Sequence, residues 1–257
     1  MIPALALTEP IGPAGAPLLL LGPSLGTSTI LWEAVVPTLA ETYRVAAWDL
    51  PGHGASPAAT EAFSVAEVAD AVAEVAANLG ERRVLHAGVS LGGAVGLELV
   101  LRHPDLVDAA AFLASGAVIA TPDSWHERAA KVRAESTSSM IIGSAQRWFA
   151  PETMVRHPEL AGRLLHALQD ADDESYALCC EALAGHDVRA RLGEIRMPVL
   201  AVWGAHDVVT PEASAREIAD GVQHGRAEGI EDASHLAPVD DSGAVTRLLL
   251  DFFAAGR

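Results

Sequence analysis

The 257-residue chain contains one lysine, Lys131, and two cysteines, Cys179 and Cys180, and only 5% of it is aromatic. Adjacent cysteines rarely meet disulfide geometry, and two of them cannot build the framework of a small secreted domain. Basic side chains are scarce: 17 stand against 34 acidic ones, for a formal net charge of -17. Such a chain repels nucleic acid and anionic lipid at long range, so neither is an expected partner. No apolar run approaches the roughly 18 residues of a membrane span. The longest is Leu18 to Leu21, and the first basic residue is Arg44, far beyond any secretory n-region. A cytosolic location is expected.

What is present is apolar bulk, with 50% of residues hydrophobic. A chain of this length buries about three quarters of its unfolded surface and needs no disulfide or metal to hold together. Short apolar runs alternate with amphipathic helical stretches, the pattern of a parallel sheet covered on both faces. The runs are Leu18 to Leu21, Val45 to Trp48, Val84 to Val89, Ala109 to Leu113 and Val199 to Trp203, with Arg226 to Ile230 a weaker sixth. Helical spacing covers Leu31 to Thr42, Ser64 to Leu79, Leu91 to Arg102, Pro211 to Gly221 and Ala244 to Phe253. Ser64 and Glu67, three apart, form a capping-box signal.

The rhythm breaks between Gly116 and Gly185. That stretch has no strand-like run, and Pro122, Pro151 and Pro158 mark turns within it. It carries Trp125, Trp148, Phe149 and Tyr176. The reading is a core formed by residues 1–115 and 186–257, with residues 116–185 as a helical cap inserted between two strands.

Gly88-Val89-Ser90-Leu91-Gly92-Gly93 joins a strand to a helix. A nucleophile elbow needs this arrangement: a tight, strained turn that presents the serine hydroxyl, with small residues where the backbones meet. The Leu91 N–H, at the helix start, is an oxyanion donor candidate. Serine needs a base. His235 lies in the loop after the last strand, which projects at the carboxyl edge of the sheet. His53, His86, His126, His157, His166 and His186 read instead as structural or surface histidines. Asp207 follows the Val199 to Trp203 strand, in the right place to orient the imidazole. His206 beside it lacks partners at metal-ligand spacing, so no metal is expected. The order Ser90, Asp207, His235 belongs to one particular fold.

With these motifs the chain resembles the α/β-hydrolase family over essentially its full length. Asp49-Leu50-Pro51-Gly52-His53-Gly54-Ala55-Ser56 matches the family's D-x-x-G-x-G-x-S loop, and Gly204-Ala205-His206-Asp207 matches its G-x-x-D acid loop. Ser90 separates the chain from the dehalogenase and epoxide hydrolase branches, which use aspartate at the elbow. The resemblance implies a mostly parallel twisted sheet with helices on both faces and an inserted helical cap. It also implies a second oxyanion N–H on Leu25, with Pro23 replacing the usual polar residue.

Within the family the chain is most similar to 3-oxoadipate enol-lactonases. The similarity lies in Ser24-Leu25-Gly26-Thr27 with Trp32, in Thr121 to Arg128 continuing to Val132-Arg133, in Arg147-Trp148-Phe149-x-Pro151, and in Cys179 to Ala182 with Asp187. It implies hydrolysis of a small anionic lactone without a cofactor. Arg128, Arg133 and Arg147 are candidates to grip the carboxylate, and Trp125 and Trp148 to wall the ring. A capped carboxylesterase and a carbon–carbon hydrolase of ring-cleavage products would share the same triad. An idle fold serving as a ligand sensor would tend to lose that triad. Oligomeric state is not legible.

Overall fold

The computed structural model describes residues 2–255. Strand β1 (Leu18–Gly22) leads through a 3-10 turn (Thr29–Trp32) and the single-turn α1 (Val36–Leu39) to β2 (Arg44–Ala47). Helix α2 (Val65–Asn78) precedes β3 (Val84–Val89), which turns into α3 (Leu91–Arg102) and then β4 (Val107–Leu113). The chain then runs through α4 (Pro122–Glu135), α5 (Ile141–Trp148), α6 (Thr153–Arg156), α7 (Pro158–Asp170) and α8 (Asp173–Ala184) before rejoining the sheet. Strand β5 (Val199–Gly204), α9 (Glu212–Gly221), β6 (Gly225–Ile230), α10 (Ala237–Asp240) and α11 (Ser242–Ala255) complete it. Among the described residues no helix is long and apolar enough to cross a membrane.

The six strands pair in parallel in the order β2-β1-β3-β4-β5-β6. Leu18 to Leu21 are wholly buried because helices cover both faces of the sheet. Each such side chain contributes roughly 1.5–3 kcal/mol by leaving water. The chain winds from β1 to one side and then crosses to β3 on the other. The carboxyl ends of β1 and β3 therefore flank a topological switch point, where loops part and leave a crevice. Leu25 follows one of those strands and Ser90 the other.

Local chemistry sets the element ends. Ser64 caps α2 with its side chain on the Glu67 N–H while Glu67 reaches back, the expected capping box. The helix expected over Leu31 to Thr42 is replaced by a 3-10 turn and the single-turn α1. Pro37 is the reason: without an N–H it can open a helix but not continue one.

His86 sits fully buried in the middle of β3. Its Nε2–H donates to the Gly92 carbonyl (3.2 Å), while Nδ1 has no partner among the described residues. It is therefore a structural histidine, as the sequence suggested, but one that is only half satisfied. Burial pushes its pKa down from 6.5 to about 4. Below pH 6.5 the unfolded chain takes up a proton that the folded imidazole refuses until about pH 4. The stability His86 contributes is thus complete above that window and lost through it, at about 1.4 kcal/mol per pH unit. In urea titrations His86→Gln, which retains a donor for Gly92, should lose stability on acidification less steeply than the wild type. Parallel slopes between about pH 6.5 and 4.5 would contradict a neutral buried imidazole.

Candidate active site

The turn from β3 to α3 holds Ser90 at φ 54°, ψ -115°, a conformation that costs a non-glycine residue roughly 1–3 kcal/mol. Its neighbours make the turn possible. A Cβ on Gly88 would lie 2.2 Å from the Gly92 carbonyl oxygen, one on Gly92 2.6 Å from Gly22, and one on Gly93 2.6 Å from Ser115. Hydrogen bonds clamp the turn from outside. The Ser90 N–H donates to Leu113 (2.9 Å), the Gly92 N–H to Pro23 (2.9 Å), and the Ser115 hydroxyl to the Ser90 carbonyl (2.8 Å). The Leu91 N–H, first of the helix, is one of the donors a helix start leaves over.

His235 and Asp207 are brought together from different loops. The Asp207 Oδ2 accepts from the His235 Nδ1–H (2.9 Å) and from the Thr210 hydroxyl (2.7 Å). Its Oδ1 accepts from the N–H of Val209 (2.7 Å) and Thr210 (3.2 Å). Burial pushes the Asp207 carboxyl up, but the His235 hydrogen bond and charge, Thr210 and Val209 outweigh it and hold the carboxyl below its ordinary value. With Nδ1–H committed to Asp207, the free imidazole nitrogen is Nε2, as a general base requires. A Cβ on Gly204 would lie 2.4 Å from the carbonyls of Ala233 and Ser234, so glycine lets the acid and histidine loops touch.

Leu25 lies in a turn closed by the Thr27 N–H on the Ser24 carbonyl (3.0 Å). Gly26 in that turn has φ +80°, and its missing Cβ would lie within 3.3 Å of Leu168, Tyr176 and Trp148. The helical segment between β4 and β5 therefore sits directly over the Leu25 loop. It also grips the His235 loop: the Leu236 N–H donates to Trp148 (2.9 Å) and the Ser234 hydroxyl to Arg147 (3.2 Å).

The candidate binding residues part company. Arg133 is exposed and ion-paired with Glu174 and Glu181, two carboxylates already in place. Three of its five N–H groups go to those carboxylates, which already balance its charge, and it does not line the cavity that holds Arg128 and Arg147, so Arg133 is withdrawn as a binding candidate. Arg128 and Arg147 have no carboxylate partner among the described residues. Both line one cavity of about 460 Å³, with Glu127, Lys131, Met140 and Ile142. The Arg128 Nε donates to the Tyr176 hydroxyl (2.9 Å), and its guanidinium lies 5.8 Å and 5.6 Å from the ring centres of Trp125 and Tyr176. Burial, and then the charge of Arg128, pulls the Arg147 pKa down. Trp125 and Trp148 are buried; Trp125 spends its indole N–H on Ile119, and Trp148 presses on the Leu25 loop.

Three contributors escape a reading of motifs alone. Thr210 follows Asp207 by three, a local signal of side-chain capping that was available. Tyr176 gives no signal beyond its aromaticity. Asp240 is a buried carboxylate that accepts from the Ser234 N–H (2.7 Å), the Ala150 N–H (3.1 Å) and the Thr153 hydroxyl (2.5 Å). It thereby ties the residue before His235 to the helices above. Burial pushes its carboxyl above the ordinary value, against those three hydrogen bonds.

A family model for the alpha/beta hydrolase fold matches residues 17–242. The chain is 32% identical over 233 residues to 3-oxoadipate enol-lactonase 2 of Acinetobacter baylyi, spanning 91% of this chain and 87% of that protein. It is 34% identical over 221 residues to the pimeloyl-acyl-carrier-protein methyl ester esterase of Aeromonas hydrophila, spanning 82% and 85% respectively. The crystal structure of the enol-lactonase from Burkholderia xenovorans superposes with a TM-score of 0.93 at 30% identity, covering 97% of this chain and 96% of that one.

Asp240→Ala would leave three donors without their acceptor, each costing about 1–3 kcal/mol where water cannot reach. Urea denaturation should show a loss above about 2 kcal/mol. A loss under about 0.5 kcal/mol would mean that the clamp carries no weight.

Proposed function

The chain belongs to the α/β-hydrolase fold family, and on that premise we propose that it opens the enol-lactone of 3-oxoadipate by serine catalysis. The observation that carries this reading is the pair Arg128 and Arg147. Among the described residues they are two cations without carboxylate partners, lining one cavity in a chain of net charge -17. Burial of Arg147 and its repulsion by Arg128 make the pair costly to keep charged, a cost that a ligand anion would offset. A carboxylate can take two parallel hydrogen bonds from one guanidinium. The cavity is not lined by Ser90, His235 or Leu25, and the pair is linked to them through intermediate contacts. Arg147 carries the carbonyl that holds Ser234, next to His235, and Arg128 rests on Tyr176, which touches the Leu25 loop.

The chemical step follows from these roles. The Ser90 Oγ attacks the lactone carbonyl carbon as its proton passes to the His235 Nε2, and Asp207 steadies the imidazolium. The N–H groups of Leu25 and Leu91 take the charge on the former carbonyl oxygen. The ring C–O bond then breaks, and the departing enol oxygen receives the proton from Nε2. The whole substrate stays attached to Ser90 as an ester, and its enol end relaxes to a ketone, which drains the reverse reaction. Water, deprotonated by the same Nε2, cleaves that ester and returns the proton to Ser90. No cofactor takes part. The helices between β4 and β5 act as a cap that carries the specificity, and residues 116–185 are its proposed bounds. Two reduced, buried cysteines suit a cytosolic setting.

A second reading, an esterase of methyl esters, is favoured by the Aeromonas relative. A panel of enol-lactone, its neutral methyl ester and p-nitrophenyl acetate separates the two.

Ser90→Ala should lower turnover of any ester by more than about 10⁴-fold with the fold intact. Undiminished turnover would refute the serine mechanism. Arg128→Ala or Arg147→Ala should weaken kcat/KM on the anionic lactone by about 10- to 150-fold, the worth of a hydrogen bond to a charged group. Neither change should much affect a neutral ester, and Arg133→Ala should leave both unchanged. Equal losses on charged and neutral substrates would remove the carboxylate-binding role.

A further inference from the structure

We infer that His53 is a positioning residue for the oxyanion-stabilising loop, holding the Gly26 N–H on its Nε2 and so locking the turn that presents Leu25. The inference rests on the proposed serine-hydrolase reading, and it concerns a residue outside the triad.

His53 is wholly buried between two loops. Its Nδ1–H donates to the Pro51 carbonyl (2.9 Å), which only accepts, so the other nitrogen carries no proton. That bare Nε2 accepts from the Gly26 N–H (3.2 Å). Burial makes the neutral form the stable one, with a pKa pulled down to about 4. The imidazole therefore stays an acceptor toward Gly26 wherever the protein is folded near neutral pH.

The turn explains why that one bond matters. Ser24, Leu25, Gly26 and Thr27 form a β-turn with a positive φ at its third residue, the type II arrangement. Two peptide planes matter here. The Ser24 carbonyl and the Leu25 N–H share one plane. The carbonyl end is tied to the Thr27 N–H (3.0 Å) and hydroxyl (2.8 Å), so the Leu25 N–H points the opposite way. The Leu25 carbonyl and the Gly26 N–H share the next plane, and rotation of that central peptide is what interconverts type I and type II turns. His53 holds the N–H of this central plane. Without it that plane can turn over by rotation about Leu25 ψ and Gly26 φ, and the residue that carries the oxyanion donor is no longer fixed from its carboxyl side.

The same imidazole is braced from its face. It stacks on Tyr176, with ring centres 5.9 Å apart and planes 26° apart. Tyr176 in turn accepts from Arg128 and packs where a Gly26 side chain would have been. Asp49 supports both loops from below, accepting from the Thr29 N–H (2.8 Å) and the Ala55 N–H (2.9 Å). His53 is thus the point where the first loop, its neighbour and the helices above meet.

Two substitutions divide the imidazole into its halves. In His53→Gln the side-chain oxygen reaches the Nε2 position and can accept from Gly26. In His53→Asn the amide nitrogen replaces Nδ1 and can donate to Pro51, but nothing reaches Gly26. Each variant loses one buried hydrogen bond, so their melting temperatures should fall alike. With p-nitrophenyl acetate, His53→Asn should lose kcat by about 10- to 100-fold at a nearly unchanged KM, part of what a lost oxyanion donor costs. His53→Gln should recover most of that kcat. Equal kcat losses in the two variants at matched stability would make His53 a structural residue only and overturn the inference. It would leave the serine mechanism standing, because that mechanism stands or falls with Ser90→Ala. Should His53→Asn fail to fold, the unaltered ¹⁵N-labelled protein gives a second readout. An N–H···N bond transmits a scalar coupling between the Gly26 and His53 Nε2 nitrogens, and its absence would equally overturn the assignment.

Discussion

The positive φ of Ser90 is the constraint from which the rest of the site follows, because a serine does not adopt φ 54°, ψ -115° unless its surroundings leave it no choice. Those surroundings are the sheet itself. Strand β3 must end where α3 begins, and α3 must lie close against β1 and β4 to cover Leu18 to Leu21 and their neighbours. Glycine at 88, 92 and 93 permits that approach, since a Cβ at any of them would overlap the opposing backbone or Ser115. Core packing thus stabilises the strained turn. The strain does not have to be made up within the site.

The helices between β4 and β5 bind that rigid platform to a cavity of a different character. They reach the base loop through Trp148, Arg147 and Asp240, and the oxyanion loop through Tyr176 and Gly26. The cavity they line keeps two guanidiniums without a carboxylate partner among the described residues, in a strongly acidic protein. The field of the whole molecule opposes an anion at long range, so on the proposed reading its recognition is short-ranged and made at the half-buried Arg128 and Arg147. On the same proposed reading, this division separates reactivity, fixed by the sheet, from selectivity, carried by the helices.

Much of this was legible in the sequence because periodicity reports burial. The inner strands read as unbroken apolar runs, since both faces are covered, and β3 and α3 fall at their expected limits. Strand β6 read weakly for the converse reason: it is an edge, with Gly225, Arg226 and Gly229 exposed. Motif order brought Ser90, Asp207 and His235 into view together. The cap arginines could not be ranked, because Arg128 and Arg133 lie on one helix and only its packing against α8 decides which meets Tyr176 and which meets Glu174 and Glu181. His53 and Asp240 stayed hidden for a similar reason. Besides near neighbours, they bond to partners 27 and 87–90 residues away in the chain.

The most direct test of the account is to find where an electrophile lands. The protein is incubated with a fluorophosphonate ester, which phosphonylates an activated serine by losing fluoride, and is then digested and sequenced by mass spectrometry. The expected result is one phosphonyl group per chain, on Ser90, with esterase activity lost in proportion and labelling slowed by adipate but not by its neutral diester. Labelling of another residue, or full activity with Ser90 labelled, would contradict a strained Ser90 as the nucleophile of an anion-binding site.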